Sequence, residues 1–162
     1  LETTALKSKV KSFVPLSMKL RMVIAEEKND LDRALKIRSE VFVKEQGIPP
    51  HLDHDADDAS SIHLLAYADK ELIGTGRLTE VPASGWQLAR IAVIKSYRGL
   101  GIGRMIIENL ENIARSKNAR RVFLRPHKHL QSFYEQLGYQ LMNDEVIQIQ
   151  SFELVIMEKH LN

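Results

Sequence analysis

Arg98-Gly99-Leu100-Gly101-Ile102-Gly103 separates two segments with different hydrophobic periods. Before it, Leu88 to Ile94 is an apolar stretch broken only by Arg90, which reads as a strand. After it, Ile106, Leu110 and Ile113 recur at helical spacing. Strand, glycine loop and helix, in that order, build a backbone site for an anion. The first turn of a helix has N–H groups without intrahelical acceptors, and the aligned peptide dipoles place partial positive charge there. Glycines let a phosphate approach the main chain without meeting a Cβ. Arg98 and Arg104 add full positive charges at the two ends of the loop, so a pyrophosphate is the expected guest.

Two common phosphate patterns do not fit. A Walker A loop needs Gly-x-x-x-x-Gly-Lys and then Ser or Thr. Here Arg104 stands five residues after Gly99, and no lysine precedes a hydroxyl that would hold Mg²⁺. A dinucleotide fingerprint needs G-x-G-x-x-G. Starting at Gly101 puts Ile106 at the third glycine, and starting at Gly99 puts Arg104 there. Its acidic ribose partner, expected roughly 20 residues on, is replaced by Asn118-Ala119-Arg120-Arg121.

Composition narrows the field further. The chain has 162 residues, 44% of them hydrophobic, which suits one domain with a real core. Lys plus Arg number 23 against 21 acids, so a net charge of +2 gives no reason to expect a nucleic-acid partner. There is no cysteine, which removes disulfides, thiolate metal sites and a cysteine nucleophile, and fits a reducing cytoplasm. No stretch approaches the ~18 apolar residues of a membrane helix.

Along the chain, Lys19 to Ala25 alternates as a strand, and a helix carries Leu31, Ala34, Leu35, Arg38, Val41 and Phe42 before Gly47-Ile48-Pro49-Pro50 ends it. His51 to Ser61 is expected as a polar, acidic loop. Ile62 to Ala68 and Leu72 to Thr79 form a hairpin, and Trp86 to Ile94 is the strand that feeds the glycine loop. Ile102 to Lys117 is a helix, Arg121 to Leu124 a strand, Leu130 to Leu137 a helix, and Tyr139 to Met142 and Phe152 to Lys159 the last strands. This order is mixed α/β.

Arg98-x-x-Gly101-x-Gly103 resembles the Arg/Gln-x-x-Gly-x-Gly/Ala signature of the GNAT N-acetyltransferase superfamily. Arg90-Ile91-Ala92-Val93 resembles the strand before that signature, and Phe133-Tyr134-x-x-x-Gly138-Tyr139 its late helix and turn. Arg38-x-x-x-Phe42-Val43-x-Glu45-Gln46 resembles a branch of small bacterial members with poorly defined substrates. The resemblance implies one GNAT-like α/β domain over residues 18–162, after a basic extension over 1–17. Its sheet would be mixed and mostly antiparallel, flanked by helices and splayed between the fourth and fifth strands to admit the cofactor.

The implied activity is transfer of an acetyl group from acetyl-CoA to a primary amine, small molecule or peptide, by direct attack in a ternary complex. The alternative is an acyl-CoA sensor of the same fold without transfer. Coenzyme A would meet the main chain of Ile91, Ala92 and Val93, the loop residues Arg98, Gly99, Leu100, Gly101, Ile102, Gly103 and Arg104, and then His127 and Tyr134. The His127 position is often Asn or Gln in the family; imidazole also donates and accepts. Tyr134 would be the acid for the departing thiolate, since a phenol is protonated at neutral pH. Many members of the family place a glutamate on the strand before the loop, but Trp86 to Tyr97 contains no carboxylate; Glu45 of the upstream block is the candidate base, with an anchor for the acceptor or a solvated helix-end residue as its alternative roles. No metal is implied: the loop His51-x-Asp53-His54-Asp55-x-Asp57-Asp58 matches no metal motif, and Asp53 and Asp55 are expected instead to attract a cationic acceptor. No membrane partner is implied, and a homodimer is compatible with the family.

Overall fold

The structure, a computed structural model, describes residues 17–162. All but the last residue of the expected N-terminal extension therefore lies outside the described residues. The chain runs β1 (Leu20–Ile24), α1 (Asp30–Arg38), a π-helical segment (Ser39–Glu45), α2 (Pro50–Asp53), a 3-10 turn (Ala56–Ala59), β2 (Ile62–Ala68), β3 (Glu71–Val81) and β4 (Gly85–Val93). A 3-10 turn (Lys95–Tyr97) leads to α3 (Ile102–Ser116), β5 (Arg121–Leu124), a 3-10 turn (Lys128–Leu130) and α4 (Gln131–Gln136). β6 (Gln140–Leu141), β7 (Ile147–Ile149), β8 (Phe152–Leu154) and β9 (Met157–His160) complete it.

Seven strands form one sheet in the order β1-β2-β3-β4-β5-β9-β6, and β7-β8 is a separate hairpin. Neighbours are antiparallel except β4 and β5. That parallel pair holds at two positions only, Trp86↔Val122 and Gln87↔Phe123. Beyond Gln87 the strands part, so the splay expected between the fourth and fifth strands is present and Leu88 to Val93 have an unpaired edge.

Helices cover both faces of the sheet. By the alternation of a strand, Gly74 and Gly76 share one face of β3, and Thr75 and Arg77 the other. A Cβ on Gly76 would stand 2.7 Å from Ile106 Cγ2 and 2.8 Å from Leu110 Cδ1, so the missing side chain lets α3 lie directly on the sheet. Ile102, Ile106, Ile107, Leu110 and Ala114 supply the buried stripe of α3. Arg77, on the other face, meets Asp58 alongside Arg38 at the end of α1. A second buried polar knot fastens α3 to β9: Tyr139 donates to Glu111 Oε1 at 3.0 Å, and Lys159 Nζ lies 3.0 Å from Glu111 Oε2. Burial and the Glu111 carboxylate together push the Tyr139 phenol up.

Three local expectations change. The helix begun at Asp30 does not run regularly to Phe42: it widens from Ser39, and the Gln46 N–H donates five residues back to Val41 O at 3.1 Å. The acidic stretch His51 to Ser61 is not an open loop, because it contains α2 and a 3-10 turn capped by Asp55. Phe152 to Lys159 is not one strand; β8 pairs with β7 and only β9 joins the main sheet.

Candidate functional site

The open edge of β4 carries a bulge. Thr75 pairs with Ala92 but Arg77 pairs with Ala89, so Arg90 and Ile91 both lie opposite Gly76. A bulge bends its strand and re-aims its backbone groups. Just beyond it, the Ile94 N–H donates to Ile73 O at 2.9 Å. Inter-strand bonds alternate along an antiparallel ladder, so the N–H of the preceding Val93 points away from β3, toward the splay. Val93 O accepts from Arg98 Nε at 2.9 Å on that side.

The glycine loop follows at once. Gly99 and Gly101 have φ of +77° and +80°, values in the left-handed region that favours glycine. Gly101 is the N-cap of α3, so the N–H groups of Ile102, Gly103 and Arg104 form its first turn. Gly103 differs from the other two. A Cβ there would meet only Val93 Cγ2, at 4.0 Å, and its φ is ordinary. Nothing within the protein requires a glycine at this place. A helix N-terminus with its flank left bare, beside the open end of β4 and between Arg98 and Arg104, fits a pyrophosphate, and so fits coenzyme A.

Arg98 joins two predicted site residues: its Nη2 lies 2.7 Å from Glu45 Oε1, and both side chains are partly exposed. Glu45 ends the π-helical segment, so that segment and the glycine loop touch through this ion pair. Arg104 turns the other way and bonds to Glu108, one turn along α3, at 2.9 Å. Leu100 is half-buried against the main core, and Ile102 is fully buried, so what these two can offer a ligand is main chain.

Across the splay, Tyr134 on α4 is 7% exposed, its ring packed edge-on to Phe133 and Tyr139. Burial pushes its phenol up to about 12. Among the described residues, the fully buried side-chain polar atoms without partners are His63 Nδ1 and Arg77 Nε alone, so the Tyr134 hydroxyl is not sealed in. His127 follows β5 and bridges to Leu154 of β8. Its ring stands 5.4 Å from Phe152 and 5.5 Å from His129, and burial with the nearby His129 lowers its pKa. An open cleft is lined by Gln46, His127, His129, Gln148, Phe152 and Glu153. The residue after Glu45 thus reaches the same cleft as His127, under the β7–β8 hairpin.

The acidic stretch does something other than expected. Arg38 Nε bonds to Asp53 Oδ1 at 3.0 Å and Arg38 Nη1 to Asp58 Oδ1 at 2.7 Å, all but sealed from solvent. Arg77 Nη1 reaches Asp55 Oδ1 at 2.7 Å and Asp58 Oδ1 at 2.9 Å, and Arg90 Nη2 reaches Asp55 Oδ2 at 3.0 Å. Burial alone would raise Asp58, but hydrogen bonds from Arg38 and Arg77 outweigh it and hold the carboxyl well below the usual carboxylate range. The expectation that Asp53 and Asp55 attract a cationic acceptor is therefore corrected. Three arginines already neutralise three aspartates. No sequence pattern announces this network, because Arg38, Arg77 and Arg90 come from different elements. The one available signal is an acidic run with no nearby cation in sequence.

The chain is similar in sequence and in fold to known proteins. The model of the acetyltransferase (GNAT) family matches residues 31–139. The uncharacterized N-acetyltransferase YjcF of Bacillus subtilis (strain 168) is 32% identical over 126 residues, 78% of this chain and 89% of that protein. An acyl-CoA N-acyltransferase from Pseudomonas aeruginosa superposes with a TM-score of 0.76 at 26% identity, over 88% of this chain and 99% of that one. A Bacillus subtilis acetyltransferase solved in complex with CoA shares the fold with a TM-score of 0.64 at 20% identity, over 89% of this chain and 100% of that one.

Proposed function

The chain belongs to the GNAT acetyltransferase family, and we propose that it is an N-acetyltransferase that moves an acetyl group from acetyl-CoA to a primary amine. The observation that carries the reading is the bare first turn of α3 at Gly103, set beside the unpaired edge of β4. When bound, acetyl-CoA supplies the activated acetyl group as a thioester. The N–H groups of Leu100 through Arg104 hold its pyrophosphate, and Arg98 adds charge. The same fold holds CoA in the Bacillus subtilis acetyltransferase. The N–H groups of Val93 and Ile91 face the thioester carbonyl and stabilise negative charge that develops there. His127 hydrogen-bonds the pantetheine arm.

Tyr134 donates its proton to the departing sulfur. A phenol held near 12 keeps that proton throughout the physiological range. Glu45 accepts a proton from the amine on the opposite side, and Arg98 orients its carboxylate. The acceptor, a small molecule or the amine of a peptide, enters by the cleft under the β7–β8 hairpin.

The test is thiol release from acetyl-CoA with a panel of primary amines, with mass analysis of each product. The expected result is amine-dependent release and a product heavier by one acetyl group. Binding of acetyl-CoA without transfer to any member of the panel would favour a sensor instead. Tyr134→Phe separates the two, since it slows an enzyme and leaves a binding module unaffected.

A further inference from the structure

Among the described residues, five that are not glycine have positive φ: Asp69, Ala83, Arg90, Asn118 and Gln150. Four of them stand in turns; Arg90, at +53°, alone stands within a strand. A residue with a Cβ is strained in the left-handed region and stays there only when its surroundings fix it.

The surroundings are specific. Arg90 Nε donates to Asp53 O at 3.0 Å, and Arg90 Nη2 donates to Leu52 O at 3.2 Å and to Asp55 Oδ2 at 3.0 Å. Leu52 and Asp53 end α2, where backbone carbonyls have no partners within the helix. Those acceptors are themselves fixed: Asp53 by Arg38, and Asp55 by Arg77. The guanidinium is a planar fork that suits two carbonyls and a carboxylate together, which a lysine does not match.

We propose that Arg90 is a positioning residue: clamped to the end of α2 and to Asp55, it holds the β4 bulge in the form that turns the Ile91 and Val93 N–H groups into the splay, toward the thioester carbonyl. This rests on the acetyltransferase reading. It gives the buried arginine–aspartate network a task in the reaction, although no member of the network touches substrate.

The test is calorimetric titration of acetyl-CoA and of CoA into wild type, Arg90→Ala and Arg90→Gly, with thermal denaturation of each. One hydrogen bond to the carbonyl corresponds to about fivefold tighter binding of acetyl-CoA than of CoA. Wild type shows this preference. Arg90→Ala loses it and keeps its CoA affinity, because an unclamped alanine leaves the left-handed region and the bulge relaxes. Arg90→Gly retains it, because glycine adopts that conformation unaided. A purely structural role lowers the melting temperatures of the variants and leaves the preference for acetyl-CoA over CoA the same in all three proteins. If Arg90→Ala does not fold, Arg90→Lys takes its place and loses the preference where Arg90→Gly keeps it. The proposal is overturned if Arg90→Ala keeps the preference, if both variants lose it alike, or if wild type has none. Failure of wild type to bind either form overturns the acetyltransferase reading itself.

Discussion

Tyr134 and Asp58 are both buried and both titratable, and burial acts on them with different outcomes. For Tyr134 nothing opposes desolvation, and the phenol rises to about 12. Its folded pKa lies above the unfolded value near 10, so its contribution to stability is complete below pH ~10 and is lost as pH rises toward 12. A pH–rate profile should therefore show no descending limb from this group below about pH 11. Tyr134→Phe should lower kcat on the order of 10²-fold while the affinity for acetyl-CoA stays unchanged, as titration would check. For Asp58 two arginines outweigh burial and the pKa falls. Its contribution is complete above the unfolded value near 3.9 and disappears as pH drops through the folded pKa. Asp58→Asn leaves buried guanidinium charge uncompensated and should cost about 3–5 kcal/mol in urea unfolding at pH 7, with a smaller cost at pH 3. The candidate aromatic was legible at this scale because Phe133-Tyr134 and Gly138 lie close in sequence. The pairing of Glu45 with Arg98 was not, since the two are 53 residues apart and nothing local links them.

At the scale of elements, the glycines of β3 decide how closely α3 approaches the sheet. Gly76→Ala would drive a methyl into Ile106 and Leu110, and overpacking of this kind costs about 1–3 kcal/mol; a fall in Tm with unaltered secondary structure by circular dichroism would show it. Strand, loop and helix around residues 88–116 were readable because period and glycine spacing change within a few residues. The acidic stretch was misread as open for a physical reason: a sequence shows the charge of a side chain and not its partner. Arg38, Arg77 and Arg90 reach Asp53, Asp55 and Asp58 only after α1, β3 and β4 are packed. The π-helical widening at Ser39–Glu45 leaves no mark on apolar spacing, yet it sets where Glu45 stands. The β7–β8 hairpin was hidden because Ile147 to Leu154 alternates weakly and its strands have three residues each.

At the scale of the molecule, the sheet is continuous at one end of β4 and open at the other. Two paired positions hold β4 to β5; past them the β4 edge is unpaired, and the glycine loop and the first turn of α3 follow it in the chain. The two linked motifs made the fold legible, and the splay came from the resemblance, since no periodicity encodes where two strands part. Among the described residues no helix is long and apolar enough to cross a membrane. The charge balance of +2 gives no reason to expect a broad field, so the proposed binding of a pyrophosphate rests on local geometry.

That geometry is tested most directly at Gly103. Gly101 is the less informative position, because its positive φ would strain any side chain. At Gly103 the protein itself has room for a Cβ, and alanine favours a helix by roughly 0.5–1 kcal/mol over glycine. The measurement is titration of acetyl-CoA into wild type and Gly103→Ala, with thermal denaturation of both proteins free of ligand. Wild type is expected to bind at one site, and Gly103→Ala to melt no lower and to bind at least ~10-fold more weakly, about 1.4 kcal/mol. Equal affinity in the two proteins, or no binding by wild type, would contradict a pyrophosphate seated on the first turn of α3.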